Sequence, residues 1–165
     1  MFLELLASHG IHAVADVRRF PGSRKYPQFG QDALRASLAG AGIGYLWLPA
    51  LGGRRRPRPD SRNTVWRNAS FRGYADHMDT PAYRAALDQI VERAERQIQA
   101  VMCAEAVPWR CHRNLLADAL LARGMDVRHI IQPGKANPHT LNKDAQVVAG
   151  HHVVYGPRVD QMDLL

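Results

Sequence analysis

The stretch VMCAEAVPWRCHRNLLADALLARG, residues 101–124, constrains the fold more than any other part of the chain. Val101 to Glu105 is a short, mostly apolar run with the length of a strand buried in a sheet. Leu115, Leu116, Ala119 and Leu120 then recur at helical spacing up to Gly124, a natural stop. A strand joined by a short loop to a helix is the repeating unit of α/β proteins. The chemistry of the loop conflicts with its position. Arg110, His112 and Arg113 gather where the helix is expected to begin, at Arg110 or Cys111, although the backbone dipole already makes that end partly positive. An anion held there would repair the conflict. Side chains extended into solvent are the other solution, at roughly a few tenths of a kcal/mol each.

The same alternation runs through the chain. Phe2, Leu3, Leu5 and Leu6 form a helical stripe closed by Gly10, and Ala13 to Arg18 follows as a strand. Phe20 to Gly30, with Pro21, Gly22 and Pro27, is a loop. Asp32 to Leu38 reads as a helix and Tyr45 to Leu48 as a strand stopped by Pro49. Phe71 to Met78 offers one or two helical turns. Thr80 and Pro81 cap and open the clearest helix, whose apolar face is Leu87, Ile90, Val91, Ala94 and Ile98. Val127 to Ile131 is another strand, Gln132 to Lys143 a loop, and His152 to Tyr155 a last short strand. The expected fold is one α/β domain over residues 1–165, three-layered, with a mainly parallel sheet flanked by helices. In such sheets ligands bind beyond the carboxyl ends of the strands.

Between them lies a long irregular loop, LGGRRRPRPDSRNTVWR, residues 51–67. It holds Arg54, Arg55, Arg56, Arg58, Arg62 and Arg67 against Asp60 alone, and so carries +5 of the chain's net +7. Charge of this kind favours acidic partners, an anionic small molecule or a nucleic acid. Of the 22 basic residues 19 are arginine, a bias that a genome's base composition also produces, so the clustering is more informative than the total. Trp66 beside Arg54, Arg55, Arg56 and Arg58 suggests a stacking surface for single-stranded nucleic acid; Trp47, inside a strand, belongs rather to the core. Two cysteines eight residues apart make no secreted disulfide framework. No apolar run approaches the roughly 18 residues of a membrane span. A soluble, cytoplasmic protein is expected.

The chemistry-bearing residues fall at predicted strand ends. Side chains alternate along a strand, so Asp16 and Arg18 share a face, as do Cys103 and Glu105. If the two strands are parallel neighbours, their ends bring Asp16, Arg18, Cys103, Glu105 and the Cys111 to Arg113 turn into one cleft. An Arg18 pair with Asp16 or Glu105 that merely fastens the sheet is the structural alternative. Cys111, at a helix start between arginines, is the candidate for a lowered pKa and for nucleophilic chemistry; Cys103, in an apolar strand, is expected to pack as a small hydrophobe. His112 is not expected to act as base for Cys111, because adjacent helical side chains diverge by about 100°. Cys103, Glu105, Cys111 and His112 are metal-ligand types, but their spacing matches no strong zinc pattern and no metal is assigned.

The segments DVRRFPGSRKYPQF, LGG, FRGYADHM, MCAEAVPWRCHR and HTLNKDAQVVAGHHVVY together resemble the bacterial and archaeal family known as domain of unknown function 488. The resemblance covers nearly the whole chain and implies a cytoplasmic α/β domain without implying a reaction. That family opens with a strand similar to Thr-Ile-Gly-His-Ser, which this sequence lacks before its first helix.

Two main functions fit these residues. In the first, the chain binds an anion, phosphate-bearing or nucleotide-like, through Arg18, Ser23, Arg24, His112, Arg113 and the helix amides; as an enzyme it would use Glu105 or Asp16 as acid or base and Cys111 as nucleophile. In the second, it is a nucleic-acid-binding module that uses the arginine loop and Trp66. A redox or metal-sensing role centred on Cys111 is a third. The residues specify no cofactor.

Overall fold

Val14 is completely buried between two layers of helices. In a computed structural model of the chain, which describes residues 1–157, its strand β1 (Ala13–Asp16) is central. It pairs in parallel with β2 (Gly44–Trp47) on one side and β3 (Gln99–Met102) on the other. Every residue of β1 is buried, as expected for a strand covered on both faces.

Its side chains alternate between two cores. Val14 packs with Leu6 of α1 (Phe2–Ser8), Leu34 and Leu38 of α2 (Gln31–Gly40), Ile11 and Ile43. Ala15 and Val17 face the larger core, built with α3 (Ala69–His77), α4 (Pro81–Ala94) and α5 (Arg113–Ala122). The protein is thus an α/β fold with a parallel three-stranded sheet between helices.

Local sequence sets the helix limits. Gly10 and Gly124, at φ +63° and +80°, take the left-handed conformation that ends α1 and α5. The Thr80 hydroxyl accepts the Tyr83 N–H at the start of α4, and Pro81 occupies the first turn, where its missing N–H costs nothing. Tyr83, Ala86, Leu87 and Ile90 form the buried stripe of α4. Removing the Leu87 side chain would cost about 2–5 kcal/mol. Ile98, expected on that face, lies beyond the end of α4 and is 59 % exposed.

The later part of the chain differs from expectation. β3 ends at Met102 rather than Glu105, and α5 begins at Arg113, after a 3₁₀ turn at Pro108–Arg110. Lys135–Pro138, expected as loop, is strand β5, antiparallel to β4 (Arg128–Gln132). Its sequence KANP is mostly exposed and has no apolar alternation, so periodicity could not reveal it. A second ladder pairs β6 (Gln146–Val148) with β7 (His152–Val154). Residues 158–165 of the expected 1–165 domain lie outside the described residues.

Two buried carboxylates fasten these outer segments. Asp118 on α5, fully buried, accepts the Tyr155 hydroxyl at 2.7 Å, His139 Nε2 at 2.7 Å and the Asn142 N–H at 3.0 Å. Asp76 on α3 accepts the Arg58 N–H, the Ser61 hydroxyl and Asn63 Nδ2 at 2.6–2.8 Å. The arginine-rich loop is therefore irregular but clamped. It also lies flat on Gly73, where a Cβ would come within 2.1 Å of the Arg55 carbonyl oxygen.

Candidate functional site

The connection from β3 to α5 turns back on itself and brings two sulfurs together. Cys103 Sγ and Cys111 Sγ are 3.0 Å apart, both as free thiols. Each sulfur also accepts one backbone N–H: Cys103 from Glu105 at 3.2 Å, Cys111 from Arg113 at 3.4 Å. Cys111 sits just ahead of the His112 cap of α5 in extended backbone (φ −131°, ψ 148°), which lets its sulfur accept the N–H of the first helical residue, Arg113.

The burial of the two thiols reverses the expectation. Cys111 is 3 % exposed, whereas Cys103 is half-buried and faces it from the strand end. Two thiols this close do not titrate independently. The Cys103 hydrogen bond pulls the Cys111 pKa far below the ordinary thiol range; burial opposes this, while His112 and the Arg113 N–H reinforce it. The same bond, together with burial, pushes Cys103 up. Of the two thiols, Cys111 is the one these contacts favour as thiolate.

His112 also departs from expectation. Its Nδ1 lies 3.6 Å from Cys111 Sγ. The 100° divergence of neighbouring helical side chains does not apply, because Cys111 precedes the helix and His112 is its cap. The ring rests on Tyr74 at 4.9 Å between centroids, and Nε2 is buried without a partner among the described residues. The Leu-Gly-Gly segment explains the fit. A Cβ at Gly53 would lie 2.8 Å from His112 Nδ1, and one at Gly52 would lie 2.7 Å from the Arg19 backbone nitrogen.

Glu105 contributes through its backbone. Its carbonyl accepts Arg113 NH2 at 2.5 Å, while its side chain is exposed and makes no hydrogen bond among the described residues. Arg113 Nε is buried with no partner among the described residues. Among the described residues no group of three or more His, Cys, Asp or Glu side chains is placed to hold a metal ion.

Asp16 and Arg18 do not join this cluster. In the register of the sheet Asp16 is opposite Met102. By the period of two, Asp16 shares the face of Val14, and Cys103 shares the opposite face with Val101. The Asp16 carboxylate takes four hydrogen bonds: the Arg18 N–H at 3.1 Å, Arg18 Nε at 2.9 Å, Arg18 NH2 at 2.7 Å and the Tyr45 hydroxyl at 2.6 Å. Arg18 NH1 adds a bond to the Phe29 carbonyl at 2.7 Å. The aspartate is fully buried and the arginine 7 % exposed. This is the geometry of a fastening pair, with four hydrogen bonds already on the carboxylate. Tyr45, whose part in it no local pattern announced, has its pKa pushed up to about 12 by burial and by Asp16.

A family model described as Domain of unknown function DUF488 matches residues 1–120, which include both clusters. The chain belongs to the DUF488 family. No curated protein and no solved structure matches it.

The remaining candidate residues of this DUF488 chain are scattered. Ser23 Oγ accepts the Tyr26 N–H at 3.1 Å, and Arg24 is exposed beside it. In the long loop, Arg55 is spent on the carbonyls of Gly52 and Pro49, while Arg54, Arg56 and Arg58 are exposed. Trp66 stacks on Phe71 at 5.1 Å and meets Tyr155 edge-on at 5.4 Å, so core rings occupy its faces. Trp47, expected in the core, is 38 % exposed and donates Nε1 to the Arg18 carbonyl at 2.9 Å. No helix among the described residues is long and apolar enough to cross a membrane.

Proposed function

We propose that the protein is a thiol-dependent enzyme acting on an anionic, phosphate-bearing or nucleotide-like ligand, with Cys111 as nucleophile. The observation that carries this is the 3.0 Å approach of Cys103 to Cys111 at the start of α5, each sulfur taking a backbone N–H. A thiolate is the reactive form of cysteine, and a helix start with neighbouring cations favours it. The thiolate gives its electron pair to the electrophilic centre of the ligand, and the bond to the leaving group breaks with its own pair. Cys103 then has a proton to release: once Cys111 is no longer charged, the bond that held that proton is gone. Arg113 and His112, each with a buried nitrogen lacking a partner among the described residues, are the groups that meet the ligand's charge. Glu105 acts by positioning Cys103 and Arg113 through its backbone.

The test is iodoacetamide labelling with inorganic phosphate or AMP present. Either anion should slow labelling of the pair and raise the melting temperature, and both effects should shrink in Arg113→Ala. Labelling indifferent to both anions contradicts the proposal.

A second function, binding of single-stranded nucleic acid, is favoured by exposed rings beyond the strand ends. Phe20 and Trp109 are 64 % and 65 % exposed, and Tyr26 is 49 % exposed. The Arg19 guanidinium lies 5.4 Å over Phe20 and the Lys25 ammonium 5.2 Å over Tyr26. Rings interleaved with cations suit stacked bases and phosphates. Those rings, rather than Trp66 and the arginine loop, would carry it. Oligonucleotide affinity should fall with salt and with Trp109→Ala, yet survive Cys111→Ser.

A further inference from the structure

We propose a second ligand site, on the helical side of the larger core, that takes a phosphate monoester carrying a flat or apolar group. A cleft of about 310 Å³ opens between the arginine-rich loop, α4, α5 and the turn before β7. Its lining includes neither cysteine and none of Glu105, His112 and Arg113, so the site goes beyond the thiol chemistry proposed above.

The floor of the cleft is core. Ala75, Met78, Leu87, Ala119 and Val153 line it, and all are buried. The rim is cationic, with Arg58, Arg62, Arg84 and Arg123 against Asp79 and Asp88. With Asp60 3.7 Å from Arg58, four guanidinium groups stand against three carboxylates and leave a net charge of +1, which favours an anion.

The two aspartates orient the arginines without saturating them. Asp79 is paired with Arg84, and Arg62 NH2 lies 3.9 Å from its other oxygen. Asp88 holds Arg123 NH2 at 2.7 Å. Arg84 Nε is buried with no partner among the described residues, a rare condition for a donor. Arg58 is anchored by its backbone N–H on Asp76, which leaves its side chain 3.7 Å from Asp60 at the rim. The opposite lip is fixed as well. Gly150 and His151 adopt consecutive left-handed conformations, at φ +74° and +61°, costly for a histidine. His151 Nδ1 donates to the Ala122 carbonyl at 3.1 Å, so in the neutral ring Nε2 is the acceptor.

These features select the ligand. One planar carboxylate is satisfied by a single arginine fork. Guanidinium groups arriving from the loop, α4 and α5 suit the three terminal oxygens of a phosphate monoester. The apolar floor accommodates the esterified group, and the volume lies at the small end of ligand sites, about 300–1,000 Å³. An aryl phosphate or mononucleotide fits this size.

Phenyl phosphate titrated calorimetrically into the full chain tests the proposal, with backbone amide shifts recorded in parallel. Saturable binding is expected, tighter than for inorganic phosphate, with the largest shifts at Gly150, His151 and Arg84. Arg62→Ala removes a side chain that is 63 % exposed, so its fold is secure, and affinity should drop at least about tenfold. Arg84→Met should do the same, while in Arg113→Ala and Cys111→Ser the shifts at Gly150, His151 and Arg84 saturate at the same phenyl phosphate concentration as in the parent chain. Absence of saturable binding, affinity equal to that for inorganic phosphate, or unchanged affinity in Arg62→Ala and Arg84→Met each overturns the site. Loss in Arg113→Ala alone overturns it too and places the anion at the thiol pair. Phosphate effects on labelling that vanish in Arg62→Ala but not in Arg113→Ala would support this cleft while removing the anion from the proposed enzyme site.

Discussion

Asp16 and Cys103 belong to adjacent strands, and Asp16 pairs with the residue just before Cys103, yet the sheet separates their side chains. On the α1 and α2 side, the Asp16 carboxylate takes four hydrogen bonds and its partner Arg18 is nearly inaccessible. On the α3 to α5 side, two thiols lie 3.0 Å apart, and His112 Nε2 and Arg113 Nε are buried without partners among the described residues. A saturated buried charge pair locks a geometry because breaking one member strands the other. An under-satisfied cluster carries strain, and such clusters are kept where chemistry or binding uses them. The difference between the two faces is thus between charge neutralised to hold a strand end and charge kept available.

Substitutions can break that contrast from either side. Asp16→Asn should be the most damaging, costing about 3–5 kcal/mol in urea unfolding because Arg18 stays buried without a countercharge. Thiol labelling of the molecules that remain folded should be unchanged. Gly53→Ala should cost about 1–3 kcal/mol and, by pushing His112 away, also raise the pH at which Cys111 is alkylated; a stability loss with unaltered alkylation would separate His112 from the thiol. Tyr45→Phe should cost about 1 kcal/mol, the worth of one hydrogen bond to Asp16, and leave alkylation alone.

Acid should act on neither cluster first. Burial, with His139 and Arg113 adding to it, holds His129 below its ordinary value of 6.5, and burial does the same to His77. The folded state therefore prefers both rings neutral. Their contribution to stability is complete above pH 6.5 and is lost as pH falls through the lower folded values. The melting temperature should decline from pH 7 to pH 5, and a flat profile would contradict this.

The layered α/β fold was legible because its signals are local. The apolar stripe at Tyr83, Leu87 and Ile90 follows the Thr80 and Pro81 start, and Gly10 and Gly124 stand where left-handed stops are needed. Period two along β1 also contained the key to the site, since it puts Asp16 opposite Val17 in facing. What it lacked was register. Whether Asp16 meets Met102 or Cys103 decides if carboxylate and thiol share a face, and no local pattern records that. The Cys103 to Cys111 approach was hidden because it depends on the connection folding back through the turn at Pro108–Arg110. The clamped state of the arginine loop was hidden similarly, because its anchor Asp76 lies on a helix beyond it.

Thiolate absorbance followed from acid to alkaline pH in the unmodified chain tests the Cys111 thiolate directly. One thiolate per molecule should already be present at about pH 6, with the second absent until well above the ordinary thiol range near 8.5, and Cys103→Ala should move the first transition upward. Two thiols titrating together near that ordinary value would contradict the account.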